Sequence, residues 1–195
     1  MSEFRRLRAY LERRAAFTEE DFAFLEPLFL PRVLRAGEFL QRAGDGTMYG
    51  AFVATGCLRK YVIDARGKEH IVQFAPEEWW VGEGPGVAPG TPAKYFIDAI
   101  EDSNLLLFDS ASHQRAIERL PAYAAGFREG LQRQAAAKDQ RIVNALSESA
   151  EDRYEEFLKK YPSIALRVPQ FMLASYLGVS PETLSRIRRN RSQRS

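Results

Sequence analysis

Residues Pro169–Arg191 read PQFMLASYLGVSPETLSRIRRNR, and their spacing predicts two short helices joined by a tight turn. Leu173 and Leu177 would share one face of the first helix because they lie four residues apart. Gly178 can take the positive φ that ends a helix sharply. Ser180 is a good N-cap, and the proline after it suits the first position of a second helix. The stretch therefore predicts a helix-turn-helix.

The predicted second helix has an apolar face and a basic face. Leu184 and Ile187 would point inward, whereas polar and charged residues occupy the opposite side. This arrangement is typical of a DNA-recognition helix, because basic side chains meet phosphates and base edges. The alternative is a helical hairpin that only completes a core, and the many arginines opposite the apolar stripe disfavour it. The candidate DNA-binding residues are Ser180, Glu182, Thr183, Ser185, Arg186, Arg188 and Arg189.

Composition excludes several other classes of protein. The chain has 195 residues and a net charge of +2, and six arginines beyond residue 164 face a single acidic residue, Glu182. Cys57 is the only cysteine and there are two histidines, so neither an internal disulfide nor a zinc or iron–sulfur site is expected. No run of 18 apolar residues predicts a membrane span. We therefore expect a cytoplasmic protein without a metal cofactor.

The rest of the chain predicts helices around a β-rich middle. The first 28 residues carry two helical patterns, the second with Thr18 as its N-cap. Between Pro31 and Asp109, short runs of alternating apolar residues are broken by glycines, and the segment DARGKE looks like a hairpin turn. Such spacing predicts an antiparallel barrel or sandwich. A long helix is predicted from Pro121 to Leu146.

These segments together resemble a known family. The series AGEFLQRAGD, YGAFVATGCLRKYVIDARGKE, FAPEEWWVGE and IEDSNLLLFD resembles the cyclic-nucleotide-binding jelly roll. With the helix-turn-helix behind it, the chain resembles Crp/Fnr-type transcription regulators, and its ending resembles a subgroup common in Bacteroidetes-like bacteria. The resemblance implies an α+β fold with an N-terminal antiparallel jelly-roll barrel, flanking helices, a long dimerisation helix and a small helical C-terminal domain. The implied domains are a sensor (1–120), a dimerisation helix (121–147) and a helix-turn-helix domain (148–195).

The family's phosphate-binding cassette is only partly matched here. In the family a Gly-Glu pair is followed by an arginine and a small hydroxyl residue. Gly82 and Glu83 match the pair, but the later positions fall on Ala93 and Lys94, and a lysine lacks the bidentate fork of arginine. Cyclic AMP is therefore not the expected ligand. The pocket candidates are Gly82, Glu83, Lys94 and Trp80, the last with core packing as its alternative.

The resemblance also implies partners. The long helix would pair with its twin across a two-fold axis through Phe127, Leu131, Ala135 and Ile142, and the alternative is a helix that lies on its own barrel. A palindromic operator in double-stranded DNA and contact with RNA polymerase are implied as well. The resemblance also implies β-hairpins called wings, which we expect to be reduced or absent because little sequence follows Arg191.

The expected function is a homodimeric, sequence-specific transcription regulator whose barrel senses a ligand other than cyclic AMP or has lost ligand binding. The alternative is a ligand-binding or protein-interaction module whose helix-turn-helix no longer reads DNA sequence. An enzyme is not expected. Ser110 and Ser112 lie near His113 without an evident orienting acid, and no phosphate loop or metal motif is present.

Overall fold

The computed structural model describes residues 3–46, 50–83 and 90–193. Residues 84–89 of the predicted cassette loop and Arg194 lie outside the described residues. Before the barrel come α1 (Glu3–Glu12), α2 (Glu19–Leu25) and a 3₁₀ turn (Glu26–Leu28). The strands are β1 (Leu30–Leu34), β2 (Phe39–Gln41), β3 (Gly50–Thr55), β4 (Leu58–Ile63), β5 (Glu69–Ala75), β6 (Trp80–Val81), β7 (Phe96–Ala99) and β8 (Ser103–Phe108). The helices that follow are α3 (Ser110–Arg119), α4 (Pro121–Ser147), α5 (Ala150–Lys160), α6 (Pro162–Arg167), α7 (Gln170–Leu177) and α8 (Pro181–Ser192).

The described strands form two four-stranded antiparallel sheets, in the orders β1-β8-β3-β6 and β2-β7-β4-β5. Alternate residues of both sheets point inward and form one apolar cluster, which includes Val53, Leu58, Ile97 and Leu105. The predicted hairpin is present between β4 and β5, where Gly67 has a φ of +79°. The β-rich middle is therefore the jelly roll that the sequence predicted.

The outer face of the first sheet is covered by α1, α3 and α4. An aromatic cluster fills this contact, and the Trp80 ring lies 5.0 Å from the ring centroids of both Phe52 and Phe127. Gly130 of α4 allows the close approach, because a Cβ there would lie 2.8 Å from the Tyr10 hydroxyl and 3.2 Å from the Trp80 ring. The pocket prediction for Trp80 is thus corrected in favour of its alternative, since the indole packs in a core outside the barrel.

Every regular element described after Phe108 is a helix. The helix α3 was not predicted, and neither was α6, which begins at Pro162 and fills the interval before the helix-turn-helix. The helices α5 to α8 bury a common apolar cluster whose members include Phe157, Leu173 and Leu184. Within residues 109–193 the structure describes no strand.

The helix-turn-helix is docked on the barrel of its own chain. The Ser175 hydroxyl of α7 donates to the Glu69 carbonyl at 2.9 Å and accepts from the Ile71 N–H at 3.1 Å, both on β5. Beside this contact the rings of Tyr176 and Phe74 lie 5.0 Å apart. The strand β5 is the outermost strand of its sheet, so α7 takes the place of a further strand at this position.

An ion-pair network between α6 and the barrel also stabilises the docking of the helix-turn-helix. The Arg167 guanidinium donates to both carboxylate oxygens of Glu77 at 2.9 Å and also binds Glu101. The hydrogen bonds that Arg167 donates to Glu101 and Glu77 raise the pKa of Arg167. Although burial acts in the opposite direction, the Arg167 hydrogen bonds hold the pKa of Glu77 below its ordinary value. The network fixes α6, and with it the start of α7, against the barrel.

Candidate nucleic-acid interface and ligand pocket

The turn between α7 and α8 follows from its local sequence. Gly178 ends α7 in the left-handed region with a φ of +70°, and the Val179 N–H donates to the Ala174 carbonyl at 3.0 Å. Ser180 then caps α8, because its side chain accepts from the Thr183 N–H at 3.2 Å. The structure therefore contains the predicted helix-turn-helix, with α7 beginning one residue after Pro169.

The helix α8 has the two faces that its sequence predicted. Leu184 and Ile187 are buried, whereas the side chains on the other face are exposed: Glu182, Ser185, Arg186, Arg188 and Arg189. A hydrogen bond from the Ser180 side chain lowers the pKa of Glu182, so this residue is an anion at neutral pH. Thr183 is half-buried, and its hydroxyl accepts from Ser180 at 3.2 Å, which places it in the helix cap.

The basic residues of this face lack carboxylate partners among the described residues. Within the described part of the chain, Arg186, Arg188 and Arg189 form no ion pair. Arg186 and Arg189 lie near the centre of the exposed face, and Arg188 lies toward its flank because of the helical period. Exposed guanidinium groups without carboxylate partners are available to an external anion, and phosphate and guanine are the groups they bind best.

The cassette end of the barrel contains a buried cation. Lys60 of β4 is only 5% exposed, and its ammonium donates to the Gly82 carbonyl and lies 3.9 Å from the Tyr95 ring centroid. Burial, and then the positive charge of Lys138 on α4, lower the pKa of Lys60 from 10.5 to about 8, against the opposing effect of Glu83. A lysine side chain thus occupies part of the space between the cassette and α4.

Side chains from other elements hold the remaining cassette residues. The Gln41 amide donates to Glu83 and also to the Tyr95 carbonyl at 2.9 Å. The Trp80 carbonyl accepts from the side-chain amides of Gln73 at 3.3 Å and Gln134 at 3.0 Å. Among the predicted pocket residues, Gly82 and Glu83 lie together here, whereas Lys94 is exposed.

Lys60, Gln73 and Gln134 also belong to this site, although none of them was predicted from the sequence. For Lys60 a signal was present, because it lies two residues after Leu58 in a strand and therefore on the same face as an inward-facing residue. Gln134 is one of the buried residues of α4, and its neighbours in sequence give no sign of which helical face meets the barrel.

The predicted dimer residues fall on two faces of α4. Ala135 and Ile142 are exposed, and Leu131 is half-buried. Phe127 requires a correction, because its ring packs within the chain at 4.3 Å from the His113 ring and 5.0 Å from Trp80. Leu146, which is 85% exposed, extends the stripe of Ala135 and Ile142 by one further helical turn.

The described residues give no support to two other kinds of site. No group of three or more histidine, cysteine, aspartate or glutamate residues in this part of the chain is placed to hold a metal ion. Nor does any described helix combine the length and the apolar character that crossing a bilayer requires. The His113 ring, considered above beside two serines, lies 3.0 Å from the Tyr123 hydroxyl.

Comparisons with known proteins agree with this architecture. The family model of the cyclic nucleotide-binding domain matches residues 31–119. The chain has no match among curated proteins. Among solved structures, FixK2 from Bradyrhizobium japonicum has a TM-score of 0.72 at 18% identity and covers 85% of each chain. CLP from Xanthomonas campestris, a c-di-GMP responsive global regulator, has a TM-score of 0.74 at 13% identity and covers 90% of this chain and 92% of its own.

A third structure carries the family name. A protein from Eubacterium rectale, described as a transcriptional regulator of the Crp/Fnr family, has a TM-score of 0.66 at 16% identity, with 89% of this chain and 83% of that chain covered. Identities at this level establish a shared fold. Residues 31–119 are therefore similar to the cyclic nucleotide-binding domain, and the chain shares its fold with solved Crp/Fnr-type regulators.

Proposed function

We propose that the chain is a homodimeric, sequence-specific DNA-binding transcription regulator. In this proposal residues 1–120 form the sensor, 121–147 the dimerisation helix and 148–195 the DNA-binding domain. The observation that carries the proposal is the exposed face of α8, where Arg186 and Arg189 are free of ion pairs opposite the buried Leu184 and Ile187. A helix that only completed a core would have no need of this charge.

The side chains of this face match base and phosphate chemistry. Arg186 can fork onto the two acceptors of guanine, and Glu182 can accept from the amino group of cytosine. Arg188 and Arg189 are suited to phosphates, which set register and affinity without reading sequence. Pro181 occupies a position where the family usually has an arginine, so one common base contact is lost and the preferred operator should differ from that of well-known members.

The outer stripe of α4 supports a dimer. Ile142 and Leu146 are 59% and 85% exposed, and Ala135 lies on the same side of the helix. Exposed apolar side chains at seven- and four-residue spacing are typical of a helix that pairs with a second copy. A dimer would place two α8 helices on a palindrome with half-sites about 34–36 Å apart. Contact with RNA polymerase stays a prediction from the family resemblance.

The barrel is proposed to sense a small ligand other than cyclic AMP, or to have lost ligand binding. Lys94, at the position of the family's small hydroxyl residue, is exposed, and Ala93 replaces the arginine. The Lys60 side chain also reaches the Gly82 carbonyl, a backbone group of the cassette itself. Calorimetry should therefore detect no binding of cyclic AMP, and cyclic AMP should leave DNA affinity unchanged.

Selection from random duplexes, followed by fluorescence anisotropy with the full-length protein, tests the proposal. Arg186→Ala should cost about 1–3 kcal/mol for each half-site of the selected palindrome and relax discrimination at one base pair. Arg66→Ala, on the exposed β4–β5 hairpin, is the matched control and should change neither. An equal loss on selected and random DNA would show that α8 grips only the backbone. The alternative, a module whose helix-turn-helix no longer reads sequence, would then be the better account.

A further inference from the structure

A cleft separates the C-terminal half of α4 from α5 and α7. Its volume is about 100 Å³, and its apolar walls are formed by Phe157, Tyr161, Tyr176 and Leu177, with Ala137 on α4. It lies on the side of α4 away from Ile142, as the helical period requires, so the proposed dimer stripe does not cover it. The cleft is also separate from Lys60 and the cassette.

The lining of the cleft has an excess of positive charge. Arg141, Arg153 and Lys160 line it, and within the described residues none of them forms an ion pair. The Arg141 guanidinium instead donates to the carbonyls of Ile71 and Val72 at 3.0 and 3.1 Å. The guanidinium is partly buried, and burial lowers the pKa of Arg141.

Basic residues outnumber acidic residues in the lining of the cleft. Arg153 donates from Nη1 to the Glu148 carbonyl at 2.8 Å, and its Nε is buried with no hydrogen-bond partner among the described residues. Glu156 is the acidic residue of the lining, and it accepts from the Asn144 amide. Three cations therefore face one carboxylate in a partly desolvated space, where an added anion would be attracted and weakly screened.

Two phenols supply neutral donors beside these cations. Neither the Tyr161 nor the Tyr176 hydroxyl has a hydrogen-bond partner in the described part of the chain. Burial raises the pKa of Tyr161 to about 12 and also raises that of Tyr176, so both hydroxyls keep their protons at neutral pH. Aromatic walls with a few converging polar groups are the usual composition of a small-molecule site.

We propose that this cleft binds a small planar organic anion with a single aromatic ring, of the benzoate class. The ring would lie against the aromatic walls, and the carboxylate would be stabilised by the cations and phenol donors. The volume limits the occupant to about one ring. Because the cleft joins α4 to the helix-turn-helix, its occupant would also fix α7 relative to α4. That effect on DNA rests on the proposed function, whereas binding itself does not.

Binding of 4-hydroxybenzoate to the full-length protein tests the site directly, with the neutral 4-hydroxybenzamide as the matched probe. For a ligand of this size we expect a Kd of about 1 mM or below for the acid, and at least about tenfold weaker binding of the amide. Calorimetry and ligand-observed NMR both measure the binding of the two compounds. Lys160→Gln should weaken the binding of 4-hydroxybenzoate by about three- to tenfold and reduce the salt dependence of that binding.

Steric variants locate the bound probe. Ala145 is exposed and lines the cleft, so Ala145→Trp should abolish binding, whereas Ala136→Trp, on another exposed face of the same helix, should preserve it. Lys60→Met in the barrel should also preserve it. The proposal is overturned by absent saturation at about 10 mM acid, by equal affinity for acid and amide, or by binding that survives Ala145→Trp. Loss of binding in Lys60→Met would place the probe in the barrel and overturn it as well.

Discussion

Replacing the buried lysine of the barrel should change how stability depends on pH. Lys60 has its pKa lowered from 10.5 to about 8, chiefly by burial. The unfolded chain therefore holds this proton up to about pH 10.5, whereas the folded chain releases it near pH 8. Between these values the unfolded state binds more protons, so the contribution of Lys60 makes the folded protein more stable as pH rises.

The size of the effect follows from the same two values. The gap between 10.5 and about 8, at about 1.4 kcal/mol for each pH unit, corresponds to about 3 kcal/mol of unfolding free energy. Below about pH 8 the charged form is present in both states and the whole penalty of burying it is felt. Lys60→Met removes the charge at similar volume. The unfolding free energy of Lys60→Met minus that of wild type should therefore fall by about 3 kcal/mol between about pH 7.5 and about pH 10.5.

Urea unfolding followed by circular dichroism, at one fixed protein concentration, measures this difference. Subtracting the unfolding free energies of the two proteins cancels the contributions of the other titratable groups. Cys57 is one of these groups, and burial raises the pKa of its thiol to about 12. Lys68→Met, on the exposed hairpin, is the control and should follow wild type at every pH. A constant difference between wild type and Lys60→Met across the range would refute the reasoning, because it would mean that Lys60 is as well solvated in the folded protein as in the unfolded one.

Three further changes test the packing and the assembly. Arg167→Ala leaves two barrel glutamates without their partner, and because all three groups are partly exposed we expect urea unfolding to show a loss of about 1–2 kcal/mol; a loss under about 0.3 kcal/mol would mean that the network is not stabilising. Gly130→Ala adds a Cβ 2.8 Å from the Tyr10 hydroxyl and should lower stability by about 1–3 kcal/mol despite the better helix propensity of alanine. An unchanged Tm would show that α4 can shift to make room. Ile142→Asp should give monomers by light scattering, whereas the adjacent Val143→Asp should stay dimeric, and the same mass for both variants would contradict the proposed seam.

The parts of the fold that sequence predicted are those fixed by short-range chemistry. Gly178 and Ser180 mark the turn of the helix-turn-helix because a left-handed cap and an N-cap each depend on one or two residues. The barrel strands were readable for a similar reason, since the alternation around Leu58 records which side of the strand is buried. The identity of the exposed side chains on α8 follows from the same local periodicity.

The errors concern which surfaces meet across the fold. The helix α4 has apolar or small residues on two sides, so spacing alone could not tell that Phe127 faces the barrel while Ile142 faces solvent. Gly130 makes room for a tryptophan and a tyrosine of the same chain, and the sequence around it does not indicate that contact. Arg167 binds Glu101 and Glu77, which precede it by 66 and 90 residues in the sequence. No local pattern indicates contacts at such separations.

The contact of Ser175 with β5 also has a consequence for the solubility of the barrel. An outermost strand presents unpaired N–H and C=O groups, and such an edge is a template on which another chain can add a strand. Here the seven-residue strand β5 has its Ile71 N–H and Glu69 carbonyl bound by Ser175, while Arg141 binds the carbonyls of Ile71 and Val72. Arg141 of α4 and Ser175 of α7 therefore each cover part of this sheet edge. A chain cut after α4 would keep the Arg141 contacts, but it would expose the Ile71 N–H and the Glu69 carbonyl to pairing with another chain.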